Sequence, residues 1–376
     1  MTPGFSNAPL DDIRVLDFST LLPGPFASLM LAEAGAHVVK IERPGRGDEM
    51  RSYEPKFGDD SVNFALLNAG KKSIAIDLKA KDSIARLRPL IAEADVVIEQ
   101  FRPGVMDRLG LGYEAMKAIN PKIIYCAVTG WGQTGPKAMI AAHDLNYLAE
   151  SGILGLSADR TGAPIIPPVL IADLAAGAYP AMTNILLALR KRDRTGEGSY
   201  IDISMGDNLL GLAYWGLGNG FAANDWPGGS DALVTGGSPR YQIYRTKDDR
   251  YLAAAPIEEK FWDNFCTAIE LPAAMRAPDA DSKTAIDAVG KIIAGKTSIE
   301  WMAIFEGKDV CCSIVASLKD AVADPHVKAR GLLDRKIAVN GRTIPAIPVP
   351  ISTTFRSAEQ SSPPALGADT DAILSK

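Results

Sequence analysis

IRVLDFSTLLPGPFASLMLAEAGAHVVKIERPG, residues 13–45, decides the fold. IRVLDFST alternates apolar and polar residues as a strand does, FASLMLAEAG carries a helical pattern, and AHVVKIERPG reads as a second strand. A strand, a helix and a strand in succession make a βαβ unit, whose strands run parallel because a crossover separates them. The turn STLLPGPFAS holds one glycine between two prolines and no GxGxxG. Glu42 stands where a dinucleotide-binding fold keeps its ribose acid. Without the glycines, however, the backbone cannot approach a pyrophosphate, so nicotinamide and flavin dinucleotides are not expected.

The beat continues outward from this unit. KSIAIDL, DVVIEQFRPG and PKIIYCAVTGWG read as strands and KDSIARLRPLIAEA as a helix. The alternation predicts an α/β fold, a large open parallel sheet that is Rossmann-like but lacks the dinucleotide fingerprint. Two helical stretches follow, HDLNYLAESGIL and DLAAGAYPAMTNILLALRKR, then the strand YIDISM. Residues 208–237 are rich in Gly and Trp and read as a helix and an irregular linker. YQIYRTKDDRYLAAAPIEEKFW then opens a hairpin with a helix behind it. The expected organisation is a large domain of residues 1–207 and 331–376, the linker, and a smaller α+β domain of residues 238–330.

The composition bounds the partners. With 376 residues the chain suits about two domains. A net charge of -5 gives no reason to expect nucleic acid or an anionic membrane, so an anionic ligand must be met by locally placed Arg and Lys. The four cysteines are too few and scattered for a disulfide scaffold, and no zinc spacing occurs. A reduced, cytoplasmic protein without structural metal is the expectation. MTPGFSNAPLDDIR lacks a signal-peptide pattern, no apolar run is read as approaching membrane-spanning length, and ILSK is not a peroxisomal address.

Two stretches carry candidate chemistry. AAHDLNYLAESGIL, residues 141–154, sets one of three histidines beside an aspartate at a helix start. It can be a buried, hydrogen-bonded core histidine, a helix cap or a proton-transfer group. PPVLIADLAAGAYPA, residues 167–181, sets Asp173 in apolar surroundings, either as a helix N-cap or as a carboxyl whose pKa desolvation raises. His37 reads as packing and His326 as structural. Arg43, Lys79, Arg102 and Arg108 fall on loops after predicted strands, where open parallel sheets take ligands. Each alone is equally readable as solvated surface charge.

Taken in order, IERPG (41–45), KKSIAIDLK through VVIEQFRPGVMDRLGLGY (71–113), TGWGQTGP with AAHDLNYLAESGIL (129–154) and PPVLIADLAAGAYPA (167–181) closely resemble the family III CoA-transferase superfamily. AHDLNY resembles its α-methylacyl-CoA racemase branch. The likeness runs through GGSPRYQIYRTKDDRYLAAAPIEEKFW and ADPHVKARGLL, so it covers essentially the whole chain.

The resemblance implies that Asp173 is the superfamily's shared acid and His143 its racemase partner. Glu258 would orient the imidazole, with Glu259 as competitor. At the start of its helix, the Asp144 backbone N–H is a natural oxyanion donor, its side chain serving as a cap or local acceptor. Tyr147 would line the acyl pocket or pack against the base. Arg43, Lys79 and Arg102 are implied CoA contacts, with the backbone of Ile76 and Leu78 near the adenine. The family architecture implies an interlocked homodimer, and the substrate an acyl-CoA, with no metal or separate cofactor required. The expected reaction is inversion at the α-carbon of a 2-methylacyl-CoA through an enolate, using an acid on one face and a base on the other. The alternative is CoA transfer through a mixed anhydride on Asp173; transferases of the superfamily generally lack the His–Asp pair. Ala142 replaces the racemase pattern's glycine and Ile314 its usual proline, the first narrowing the thioester site.

Overall fold

The computed structural model describes residues 8–159, 161–277, 279–356 and 361–375. The chain divides into two compact units, one of Met1–Ser151, Val169–Leu212 and Arg330–Lys376, the other of Gly152–Pro168 and Ala213–Ala329.

The first unit is organised by six strands: β1 (Arg14–Asp17), β2 (His37–Glu42), β3 (Lys72–Ala75), β4 (Val96–Glu99), β5 (Ile124–Thr129) and β6 (Ser199–Ser204). They lie in the order β3-β2-β1-β4-β5-β6, and every neighbouring pair is parallel. Val15 registers with Val38 on one side and Val96 on the other. Leu16, Val97 and Tyr125 pack with Leu87 and Ile91 of the helix Ser83–Glu93. Their neighbours Val15, Val96, Ile98 and Cys126 point to the opposite face and are equally buried. Both faces are therefore covered, which is why these strands read as near-continuous apolar runs. Strand order reverses between β1 and β4, and the carboxyl ends there form the crevice in which such sheets take ligands.

Three helices of this unit bear on the site: α1 (Pro23–Glu33), α2 (Asp144–Glu150) and α3 (Ile171–Thr195). Helix α3 corrects one expectation. Its 25 residues pass as long and apolar enough, by length and composition only, to cross a membrane. In the structure it packs on β5, β6 and α1, burying Ala181, Ile185, Ala188 and Leu189. Sheet packing covers one side of it, while Leu186 and Leu187 remain exposed. The C-terminal tail forms a hairpin, Lys336–Val339 with Arg342–Pro345, and a short helix, Thr370–Leu374. That helix end seals the sheet edge: the Ser73 and Ala75 N–H groups donate to Asp369 Oδ2 at 2.9 Å and Thr370 Oγ1 at 3.0 Å.

In the second unit the sequence hairpin is observed as β7 (Gln242–Arg245) paired antiparallel with β8 (Tyr251–Ala254). A third strand, β9 (Cys312–Ile314), joins β8; three residues are too few to show a period in the sequence. Tyr244, Leu252, Trp262, Phe265, Val289 and Trp301 form the core beneath helices Glu259–Ala268, Ser282–Ile293 and Ser298–Phe305. The span 208–237 carries the helix Tyr214–Ala223 before its irregular part. His37, read as packing, is exposed at the start of β2, and His326 is exposed as well.

Candidate active site

The N–H groups at the turn after β1 are engaged within the protein. Pro23 and Pro25 contribute no N–H to the start of α1. Gly24 N–H is taken by Gln100 Oε1 at 3.1 Å, and Phe26 N–H by Leu22 O at 2.9 Å. Of the first helical turn, Pro23 and Pro25 carry no N–H and the Gly24 N–H is already engaged. Glu42 is consumed too: it pairs with Arg51 at 2.7 Å and accepts from Ser73 Oγ at 2.6 Å and Asp48 N at 3.0 Å.

Instead, the start of α1 supports α3. Directly after Asp173, residues Leu174–Ala178 form a π-helical turn, a local widening that recurs at functional sites. The small residues of this turn let α1 come close. A Cβ on Gly177 would stand 3.2 Å from Pro23 Cβ and 3.1 Å from the Met205 side chain. Phe26 packs edge-on against Tyr179, ring centroids 5.9 Å apart. Asp173 therefore occupies the last α-helical position before a braced irregularity.

Its carboxyl is half-buried and pushed up to about 6. Burial is the largest cause and the neighbouring Asp144 adds to it, while His143 pulls the other way. His143 is exposed at the N-cap of α2, and its own N–H is held by Asn146 Oδ1 at 3.0 Å. Asp144 is buried, and its Oδ1 accepts the Ala172 N–H at 2.7 Å and the Asp173 N–H at 3.1 Å. The side chain following the imidazole thus caps the turn bearing the carboxyl. The Asp144 N–H has no protein acceptor among the described residues and lies at the positive end of α2.

The TGWGQTGP motif underlies this arrangement. A Cβ on Gly130 would lie 2.2 Å from Tyr147 Oη, so glycine makes room for the phenol. Tyr147 packs against Trp131, centroids 5.2 Å apart, and donates to Ala142 O at 2.8 Å. Burial, then Asp173 and Asp144, push its phenol up to about 12, so it remains a neutral donor. The departure at Ala142 thus lies where a carbonyl is fixed by Tyr147.

The cations read from the sequence stand at the carboxyl ends of neighbouring strands. Arg43 follows β2 and is exposed, with Nη2 3.9 Å from Glu49 Oε1. Lys79 follows β3 and Arg102 follows β4, while Arg108 ends the short helix Val105–Arg108; all three are exposed. These three form no ion pair among the described residues, so their charge is available to an anion. Ile76 is buried, its N–H donating to Glu42 O at 2.9 Å, and Leu78 is half-buried, its carbonyl accepting from Ser83 Oγ at 3.2 Å.

Glu258 belongs to the second unit, as N-cap of the helix Glu259–Ala268. Glu259 is bound to Arg240 at 2.8 Å, and Arg240 also lies over the Trp262 ring. Glu258 is exposed with its carboxylate unpaired among the described residues, so of the two it is the one free to take a new partner. Sequence reading did not single out Asn146, Gly130 or Trp131. Their signal was adjacency to the histidine motif, but their roles are contacts that spacing does not reveal.

A carboxyl near neutrality beside an imidazole suits proton or acyl transfer, and the cationic edge suits an anionic ligand. The fold and site define an α/β enzyme for such chemistry. Residues 10–370 match CoA-transferase family III, and the chain belongs to that family. It is 34% identical over 386 residues to mouse succinyl-CoA:glutarate CoA-transferase, covering 98% of this chain and 86% of that one. To human alpha-methylacyl-CoA racemase it is 35% identical over 332 residues, covering 86% and 81%. Among solved structures, a CAIB/BAIF family protein from Brucella suis superposes with a TM-score of 0.81 at 29% identity, covering 98% of this chain and 99% of that one.

Proposed function

We propose that this enzyme inverts the α-carbon of 2-methyl-branched acyl-CoA thioesters. What supports the reading is that His143 caps α2 while the adjoining Asp144 accepts the Ala172 and Asp173 N–H groups, which brings the imidazole-bearing turn to the turn of a half-buried carboxyl. Racemisation needs one group to remove the α-proton and another to return a proton from the opposite face. His143 as base and Asp173 as acid, or the reverse, supply this pair. The developing enolate oxygen would be met by the Asp144 N–H at the end of α2. Arg43, Lys79, Arg102 and Arg108 would hold the CoA phosphates, Arg by its planar fork. Glu258 would orient the imidazole, and the working form would be a homodimer with twice the 40.0 kDa chain mass. The chemistry assigned here calls on no metal or redox cofactor.

CoA transfer is the second reading, favoured by the similarity to a succinyl-CoA:glutarate CoA-transferase over nearly the full chain. There Asp173 attacks the thioester carbonyl and CoA leaves as thiolate; the acceptor carboxylate then attacks the Asp173 carbonyl of the anhydride and releases the first acid, and the CoA thiolate attacks the acceptor's carbonyl in the new anhydride, giving the new acyl-CoA and free Asp173. Incubating single enantiomers of 2-methylacyl-CoA with succinate or glutarate separates the two. Inversion without CoA exchange, and without hydroxylamine trapping at Asp173, is expected. Rapid CoA exchange with hydroxamate formation at Asp173 and retained configuration would replace the racemase by the transferase.

A further inference from the structure

We propose, resting on the racemase reading, that Asp144 is a positioning residue: its carboxylate ties the imidazole-bearing turn to the carboxyl-bearing turn, and its negative charge opposes ionisation of Asp173. Two geometric facts carry this. Asp144 follows His143 in the chain, yet its Oδ1 accepts the N–H groups of Ala172 and Asp173. It is also buried, 6% exposed, so its charge acts through little water. A carboxylate fixed on the backbone of Asp173 holds a like charge beside that residue's own carboxyl, which favours the proton there. The titratable groups on elements packed against this turn are His143, Asp144, Tyr147 and Glu150 at α2, Asp207 on the helix Met205–Leu210, Glu33 on α1 and Tyr200 and Asp202 on β6, with Tyr179 following on α3 itself. Glu150 is paired with Lys137 at 2.6 Å. Burial of Asp173 comes first in raising its carboxyl, Asp144 second, and His143 opposes them.

The consequence bears on the kind of reaction. An acid that must return a proton to an enolate gains from a neighbour that keeps it partly protonated. A nucleophilic carboxylate, which works ionised, does not.

Asp144→Asn keeps an Oδ1 acceptor for both N–H groups and removes only the charge; Asp144→Ala removes both. With aspartate 13C-labelled at Cγ, and the Asp173 signal assigned by its absence in Asp173→Asn, NMR titration needs no substrate. The Asp173 midpoint is expected to fall by about half a pH unit or more in Asp144→Asn, with a melting temperature near wild type. The limb of the α-proton exchange profile that follows Asp173 should shift the same way. Asp144→Ala should also melt at lower temperature. An Asp173 midpoint unmoved in Asp144→Asn overturns the proposed charge effect. A lowered midpoint in a protein whose wild type shows no α-proton exchange upholds the electrostatic coupling and removes the racemase reading instead.

Discussion

At residue 173 a carboxyl is held where its charge is poorly compensated, and this has a measurable cost. Its pKa, raised from 3.8 to about 6, means the folded state binds the proton more tightly than the unfolded chain. The ionised carboxyl therefore disfavours folding, negligibly below pH 3.8, increasingly between the two values, and fully above about 6. Asp173→Asn should stabilise the protein by up to about 3 kcal/mol at pH 7–8 and by almost nothing near pH 4. Urea unfolding at the two pH values checks this; equal effects at both would mean that the carboxyl is not strained by its surroundings. His143 and Asp173 were visible in the sequence because a rare histidine and an acid in an apolar run break the local pattern. That Asp144 reaches across to the α3 turn was not visible, since a side chain's acceptor partners depend on where distant segments meet.

The elements were largely legible from period and punctuation. β1, β2, α1 and the β7–β8 hairpin fall where their apolar patterns put them. Gln100, which takes up the Gly24 N–H in the turn after β1, comes from the far side of the strand-order reversal and has no local signature. The π-helical turn after Asp173 was equally hidden, because one widened turn leaves a 3.6-residue pattern almost unchanged. These contacts predict unequal tolerance of a methyl group. A Cβ on Gly24 would lie 2.2 Å from Ser19 Cβ and 2.9 Å from Gln100 Oε1, with little freedom to yield. One on Gly177 meets mainly the flexible Met205 at 3.1 Å. Gly24→Ala should cost about 1–3 kcal/mol or more, and Gly177→Ala clearly less. Thermal unfolding of the two variants decides, and a larger loss at Gly177 would contradict this packing account.

At the scale of the whole molecule, the parallel sheet rests on charges buried beneath its first crossover. Lys71 Nζ lies 3.3 Å from Asp17 Oδ2, 2.7 Å from Ser28 Oγ and 2.9 Å from Pro25 O. Lys40 pairs with Asp48 at 2.9 Å. Burial disfavours the Asp17 charge, but Lys40 and Lys71, with Ser19 and Ser28, hold its carboxyl below the usual range. Lys71→Met would leave Asp17 without its hydrogen-bonded cation and should cost about 3–5 kcal/mol. A loss under 1 kcal/mol in denaturant would show that the network does not support the fold. In the sequence these residues were only charges interrupting apolar strands; their pairing required the folded topology. Fold class and family were legible in the chain. The choice of reaction was not, because relatives of similar identity carry both names. Incubating one enantiomer of a 2-methylacyl-CoA in D2O and following the α-position by mass spectrometry tests that choice most directly. The account predicts deuterium at the α-carbon with inversion, and a loss of about 10²–10⁴-fold in His143→Ala. Full deuterium uptake in that variant, or none in the wild type, would contradict it.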